Sequence, residues 1–332
     1  MRIAAAWGYS QEVEEQNINM PTAIITQLNI YPIKSCAGTA LDRVKLTPHG
    51  LTGDRNWMVV NQAGRFLTQR ELPRLALVRP LLDGPRLRLR ATGLPDLDVL
   101  VDQGGAEIPV TVWKDRFAAF DAGEDAARWL SDILQTEARL VRFDMSITRL
   151  SDPHWTAGID APLTFADGFP ILVISEASLA DLNERVDQPL PMNRFRPNIV
   201  LKGLAAYEED RVTELFDGTL RLRMVKPCAR CSITTVEQAS GEFTGAEPLR
   251  TLKTYRWSRK LGGAQFGQNA IIVSGVGGEL RVEQELDFER ETTGRVADLT
   301  RQPAKTRAPV ARTAQSRSRL EAPTLTRYVR FP

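Results

Sequence analysis

Two of the chain's three cysteines stand in the stretch MVKPCARCSITTVE, Met224 to Glu237, as a CxxC that encloses Arg230. That spacing fits three chemistries: a redox dithiol, half of a zinc site, or a single sulfur that ligates something else. A structural zinc site needs four ligands. The rest of the chain offers only Cys36, His49 and His154, none paired with another ligand, which weighs against zinc. A thioredoxin-type dithiol opens a helix after a strand, where the helix terminus lowers the thiolate pKa. Here the β-branched SITTVE predicts a strand instead. On spacing alone, two ordinary packed cysteines remain an open reading, and Cys36 reads as a small buried apolar residue. Neither histidine is assigned a role, so a generic histidine base is not the expected chemistry.

A second set of residues points to a phosphate-bearing ligand. Such ligands are gripped by Arg and Lys forks and by backbone amides. Lys34-Ser35, Gly53-Asp54-Arg55, the run Asn193 to Asn198 (NRFRPN) and Arg230 all sit beside Gly or Pro at expected strand ends or turns. Each alone is more often a solvated charge or a surface ion pair. Their value is collective, and spacing does not show that they converge.

The elements that position them are mostly strands. AIITQLNIYPIKS (Ala23–Ser35) predicts a strand, and NWMVVNQAGRFLTQ (Asn56–Gln69) predicts a hairpin turning at Asn61 to Gly64. Short strands follow at Arg86–Ala91, Leu97–Asp102 and Ile108–Asp121. GEDAARWLSDILQ then switches period, with Ala127, Leu130, Ile133 and Leu134 on one helical face. The continuous apolar run PILVIS predicts a strand buried on both faces. It leads into SEASLADLNERV, a helix N-capped by Ser175 with Leu179, Leu182 and Val186 along one side. NIVLKG, GTLRLRMVKP, CSITTVE, NAIIVSG and GELRVEQEL predict further strands, hence a β-barrel core in the second half. The expected fold class is mainly β with a few helices (α+β). Its expected parts are a leader over 1–20, a β-barrel domain over 21–145, a second β-barrel domain over 146–290, and a disordered basic tail over 291–332.

At 42% hydrophobic and 25% charged residues the composition is that of an ordinary globular protein, and no run of eighteen apolar residues predicts a membrane span. The N-terminus fits neither a secretory signal nor an arginine-rich transit peptide, and Met20 offers an alternative start. Three cysteines are too few for a disulfide framework, so a reducing, cytoplasmic setting is expected. The last 32 residues carry eight Lys/Arg against the single acid Glu321. Without interleaved aromatics this reads as a disordered extension and not as a nucleic-acid-binding arm.

Six segments in order carry a resemblance: YPIKSCAG, GLTGDRNWMVV, FADGFPILVISEASLADLNERV, NRFRPNIVLKG, KPCARCSITTV and FGQNAIIVSGVGGELRVEQEL. Together, over about residues 23–287, the chain resembles the MOSC family. Within it, the likeness is to proteins with an N-terminal MOSC-associated β-barrel domain, such as the mitochondrial amidoxime reducing component and the YcbX-type proteins. The resemblance implies a molybdenum cofactor, a metal held by a pyranopterin dithiolene and by one protein thiolate. The matching residue is Cys231, as catalytic and metal ligand, with Cys228 a neighbour without an obligate role. Cofactor contacts are implied for Lys34, Ser35, Arg55, Arg196, Asn198 and Arg230. Gly168 and Phe169 match a contacting loop, but family members bear Thr-Ser there, so only backbone contacts are expected. Ala229 replaces a cofactor-binding serine of some members.

The resemblance also implies reduction of N-hydroxylated compounds (hydroxylamines, amidoximes, N-hydroxylated nucleobases), with a role in detoxification. No cysteine follows Cys231, so no intrinsic iron–sulfur cluster is expected, and electrons are expected from a separate ferredoxin or flavin reductase. A rival reading is a carrier that holds sulfur as a Cys231 persulfide, or ferries the cofactor, without catalysing reduction.

Overall fold

Along Thr22–Ile30 buried and solvent-facing residues roughly alternate, the pattern of a strand with one face on a core. The computed structural model describes residues 20–102 and 104–291. Apart from their boundary residues, the expected leader and basic tail lie outside the described residues. The strand's partners come from the far half of the chain: Ile199–Lys202 on one side and Glu285–Arg290 on the other. It is one of seven strands in a closed ring. From Glu285–Arg290 the ring passes through Val212–Phe216, Arg221–Ala229 and Gly263–Ser274 to Ile171–Ser175, which pairs again with Ile199–Lys202. Closure leaves these strands without an open edge.

All pairs in the ring are antiparallel except Ile171–Ser175 with Ile199–Lys202. A parallel pair needs a crossover, and the helix Glu176–Asn183 supplies it. Its start is as expected: the Ser175 hydroxyl accepts the Ser178 amide at 3.1 Å. The helix stops at Asn183, so Val186 lies beyond it. Ile25, Val173, Ile199, Leu215, Leu222 and Leu286 fill the barrel and are fully buried. Each contributes roughly 1.5–3 kcal/mol relative to exposure.

In the other half a four-stranded sheet runs Trp57–Val60, Arg139–Arg142, Asp115–Asp121, Glu107–Val112, and a three-stranded meander covers Arg79–Asp83, Arg86–Arg90 and Leu97–Leu100. The helix Glu124–Leu134 packs Ala126, Leu130 and Leu134 onto Leu87, Val99 and Leu140. Among the described residues the chain is mainly β with four α-helices, in two barrel-like bodies: this is the fold class the sequence predicts.

Three local expectations need correction. Arg65 to Gln69 does return antiparallel after the turn, with the Val60–Phe66 bridge and the Leu67 amide on the Val59 carbonyl at 2.8 Å, but it forms no full strand ladder. Trp57–Val60 pairs with Arg139–Arg142 instead, and the turn at Gly64 lies against Pro109 Oxygen so closely that a Cβ there would sit 2.1 Å from it. The predicted strand Ile108–Asp121 is two strands folded at Trp113-Lys114. SITTVE is not a strand: Ser232–Thr235 form one 3₁₀ turn, because the Thr234 amide and hydroxyl both bond the Cys231 carbonyl. The strand Val212–Phe216 and the helix Leu249–Tyr255 carry no clear periodic signal and are found only in the structure.

Barrel closure depends on one glycine. Gly267 has φ +80°, and a Cβ there would lie 2.6 Å from Ile174 Cγ1 and 2.9 Å from the Val173 carbonyl oxygen. Left-handed strain and overpacking together predict that Gly267→Ala destabilises by roughly 2–4 kcal/mol. At about 2–4 °C per kcal/mol for a domain of this size, a thermal melt lowered by less than about 3 °C would contradict this account of closure.

Candidate functional site

Where Thr22–Ile30 leaves the barrel it crosses to the other half. The Lys34 amide bonds the Trp57 carbonyl at 2.8 Å, and Asp54 accepts the Tyr31 amide at 2.8 Å. This crossing buries Lys34, whose ammonium donates to the Phe165 carbonyl at 2.8 Å and pairs with Asp167. Ser35 is buried beside it, and its carbonyl accepts the Gln69 amide nitrogen at 2.8 Å. Arg55 follows the turn at Gly53; its guanidinium pairs with Asp54 and donates to Asn198 Oδ1 at 3.0 Å. The same Asn198 oxygen accepts the Leu172 amide at 3.1 Å, so one side chain locks Arg55 to the barrel.

Arg196 and Arg230 come from the barrel side. Arg196 is buried, donates to the Cys36 carbonyl at 2.6 Å, and lies 4.1 Å from the Tyr31 ring, with Arg55 at 4.5 Å from the same ring. Arg230 donates to Cys228 Sγ at 2.9 Å and to the Phe195 carbonyl at 2.5 Å. Its Nε is buried without a hydrogen-bond partner. Among the described residues neither guanidinium pairs with a carboxylate. Cys231 caps the 3₁₀ turn with its side chain exposed, whereas Cys228 is half-buried and Cys36 buried.

All the residues singled out from the sequence line one cavity of about 150 Å³: Lys34, Ser35 and Arg55 from one half, and Gly168, Phe169, Arg196, Asn198, Arg230 and Cys231 from the other. Past Asp167, Gly168, Phe169 and Cys228 it adjoins a wider groove of about 790 Å³. A cleft of about 760 Å³ on the far side of Tyr31 and Arg196 is also larger but holds no cysteine, so chemistry and not size marks the site. Three of the lining residues sit in the left-handed region: Ser35 at φ +65°, Arg55 at +50° and Arg196 at +58°. Such backbone costs about 1–3 kcal/mol each and persists where surroundings impose it, often at functional sites.

The electrostatics are lopsided. Burial pulls Lys34 below the usual lysine range, against the pull of Asp167. Burial works to raise Asp167, but the Lys34 ammonium and the Trp113 N–H outweigh it and bring that carboxyl down to about 2. Burial, with Arg55 nearby, lowers Arg196 to about 10 in spite of Tyr31. Cations crowded in a low-dielectric wall with unused N–H donors form a receptor for a multiply charged anion such as a phosphate ester. Among the described residues no three His, Cys, Asp or Glu side chains gather. A metal at Cys231 would have one protein sulfur and must bring its other ligands with it.

Three residues at this site are absent from the sequence-derived set. Arg70 Nη1 lies 4.0 Å from Cys231 Sγ, its guanidinium 4.8 Å from the Trp113 ring, and Trp113 Nε1 donates to Asp167 at 3.0 Å. Arg70 lies in TQREL, with no Gly or Pro beside it. Trp113 reads as a strand residue, and Asp167 directly precedes the matched loop residues Gly168 and Phe169.

Comparison with known proteins places both halves of the chain in known domain families. Residues 22–137 match the MOSC N-terminal beta barrel domain and residues 160–287 the MOSC domain. The chain is 36% identical over 285 residues to mitochondrial amidoxime-reducing component 1 of Homo sapiens, covering 81% of this chain and 84% of that one. It is 36% identical to mitochondrial amidoxime reducing component 2 of Bos taurus, covering 70% and 72%. Against the molybdenum cofactor sulfurase of Bos taurus it is 30% identical, over 71% of this chain and 30% of that one. With both domains in order and more than two thirds of the amidoxime-reducing components spanned, this chain belongs to the MOSC family, in the group whose MOSC domain follows an N-terminal MOSC β-barrel.

Proposed function

We propose that this chain is an oxidoreductase that reduces N-hydroxylated compounds, among them hydroxylamines, amidoximes and N-hydroxylated nucleobases, at a molybdenum cofactor anchored by Cys231. One observation supports it above the rest. A solvent-facing thiol stands at the edge of a cavity whose buried Arg196 and half-buried Arg230 lack carboxylate partners. The similarity to proteins named amidoxime-reducing components supplies the reaction class.

The residues fit the group. Arg196 and Arg230, with the orphaned Nε, would grip its phosphate, with Lys34 and Arg55 behind them. Cys231, a soft sulfur donor, would complete the metal's ligand set. When bound, the cofactor supplies the two electrons that break the N–O bond. R–NHOH, two electrons and two protons give R–NH₂ and water. Asp167 is not the proton source near neutrality, because a carboxyl held at about 2 is already ionised. Solvent reaching the exposed Cys231 face is. Asp167 instead fixes Lys34 and orients Trp113 through their shared oxygen. Electrons come from a separate donor, a ferredoxin or a flavin reductase.

Elemental analysis tests the anchor. Wild type is expected to carry stoichiometric molybdenum, and Cys231→Ala to lose turnover of an amidoxime by about 100-fold or more. Full activity in the variant removes Cys231 from its role. Labile sulfane sulfur on Cys231 without molybdenum would instead identify a carrier.

The thiols should differ towards iodoacetamide. Burial pushes Cys36 up to about 12, so at pH 8 only ~10⁻⁴ of it is the reactive thiolate, a fraction that rises tenfold per pH unit. Peptide mass spectrometry of native protein is expected to find Cys231 alkylated and Cys36 spared, with cofactor loading protecting Cys231. Equal labelling of Cys36 would contradict its packing.

The cation cluster should bind a simple anion in the cofactor-free protein. At ten times its Kd, inorganic phosphate stabilises by about 1.4 kcal/mol, a rise of roughly 3–5 °C in Tm. Arg196→Gln is expected to abolish that rise, and an undiminished rise would place the anion elsewhere.

A further inference from the structure

The charge of Arg70 is felt by the Asp167 carboxylate but is not neutralised by a direct contact with it. Among the described residues it makes no ion pair. Its guanidinium has one hydrogen-bond contact, the long approach to Cys231 Sγ at 4.0 Å, and one stacking contact, the Trp113 ring at 4.8 Å. Arg70 is half-buried, and its planar fork of five N–H donors, held beside an exposed sulfur, is free to meet an incoming acceptor.

Its position separates it from the phosphate cradle. Arg196, Arg230, Lys34 and Arg55 line the inner cavity, but Arg70 and Trp113 do not. Trp113 lines the outer groove, whose volume of about 790 Å³ falls in the range that holds small-molecule ligands. Touching Cys231 on one side and Trp113 on the other, Arg70 spans the rim where a molecule entering by the groove meets the sulfur. The rim is held in place. Trp113, at φ +55° in the turn between Glu107–Val112 and Asp115–Asp121, packs on Phe66 with ring centroids 5.0 Å apart and donates to Asp167, which Lys34 secures. The guanidinium plane is thus set by the same ion pair that anchors the cradle.

We infer that Arg70, stacked on Trp113, is a substrate-binding residue whose N–H fork donates to the hydroxyl oxygen of the N-hydroxylated compound and places it beside Cys231. The inference rests on the proposed reaction class, and it predicts recognition of the oxygen itself. A substrate must show this, and its deoxygenated product must not. Arg70→Lys keeps the charge but loses the fork, so it behaves like Arg70→Ala and not like wild type.

The experiment is calorimetric titration of oxidised, molybdenum-loaded protein, in the absence of an electron donor, with benzamidoxime and with its product benzamidine. Steady-state kinetics on the same preparations accompany it. Wild type is expected to bind the amidoxime. Arg70→Ala and Arg70→Lys should weaken that binding about tenfold or more, the loss of a hydrogen bond to a charged donor. Benzamidine binding should be unchanged or, being cationic, tighter. KM should rise by a similar factor with kcat within about threefold, and molybdenum content and Tm should stay at wild-type values. Equal losses for both ligands, no loss for the amidoxime, or no amidoxime binding by wild type would each overturn the inference. If wild type binds the amidoxime in an Arg70-dependent way yet never reduces it, the role of Arg70 stands and the proposed reaction falls.

Discussion

Uncompensated positive charge governs this molecule. Four cationic side chains meet at one cavity, and the two carboxylates among them, Asp54 and Asp167, are already committed to Arg55 and Lys34. Arg196 is left with a carbonyl and an aromatic ring, and burial has lowered its pKa to about 10. A depressed pKa on a base means that folding disfavours its charged form, a cost present at every pH below that value and relieved only above it. Because a bound dianion would reverse the sign of that term, the empty and filled cavity differ in stability as well as in function.

Such a cluster needs walls that do not relax, and the topology provides them. The strand Thr22–Ile30 is the first in the chain, yet it is knitted between strands from residues 199–202 and 285–290. Its continuation through Tyr31, Lys34 and Ser35 is therefore fixed at one end by the barrel and at the other by the bond from the Lys34 amide to the Trp57 carbonyl. The strained backbone of Ser35, Arg55 and Arg196 is the local price of bringing three long-range partners to one point. Asn198 shows the economy of the result: its carbonyl oxygen holds Arg55 and the Leu172 amide, while its nitrogen bonds the Asn29 carbonyl at 3.1 Å.

Much of this was legible in the residues, and the illegible parts share a cause. Period and caps located Ile171–Ser175, Glu176–Asn183 and Glu124–Leu134, because burial on one face leaves a local pattern. The seven-strand ring was not legible in its order, since the pairing of Thr22–Ile30 with Ile199–Lys202 depends on residues 170 positions away. SITTVE misled because β-branched residues favour strands, whereas threonine hydroxyls and amides close a 3₁₀ turn on the Cys231 carbonyl. Motif resemblance named the cradle residues, and their convergence appears only in three dimensions. Arg70 escaped because nothing adjacent to it in sequence marks it; its meaning comes from Cys231 and Trp113, 161 and 43 positions further on.

The division between cradle and rim carries its own consequence. Residues that grip a charged group must be buried, strained and mutually bonded, so a change at Asn198 or Arg55 disturbs several contacts at once. Arg70 has fewer contacts among the described residues, the Trp113 ring and the sulfur, and Trp113 is 49% exposed in a two-residue turn. A substitution there alters what meets Cys231 without loosening the barrel, since the stabilising packing lies in the apolar interior around Ile25, Val173 and Leu222. On the proposed assignment, selectivity can then drift on the rim while the wall proposed to hold the cofactor stays constant, provided that Asp167 continues to hold Lys34 and Trp113 together. That carboxylate bonds a residue of each region, and it is where a change in selectivity would begin to cost affinity for the anion.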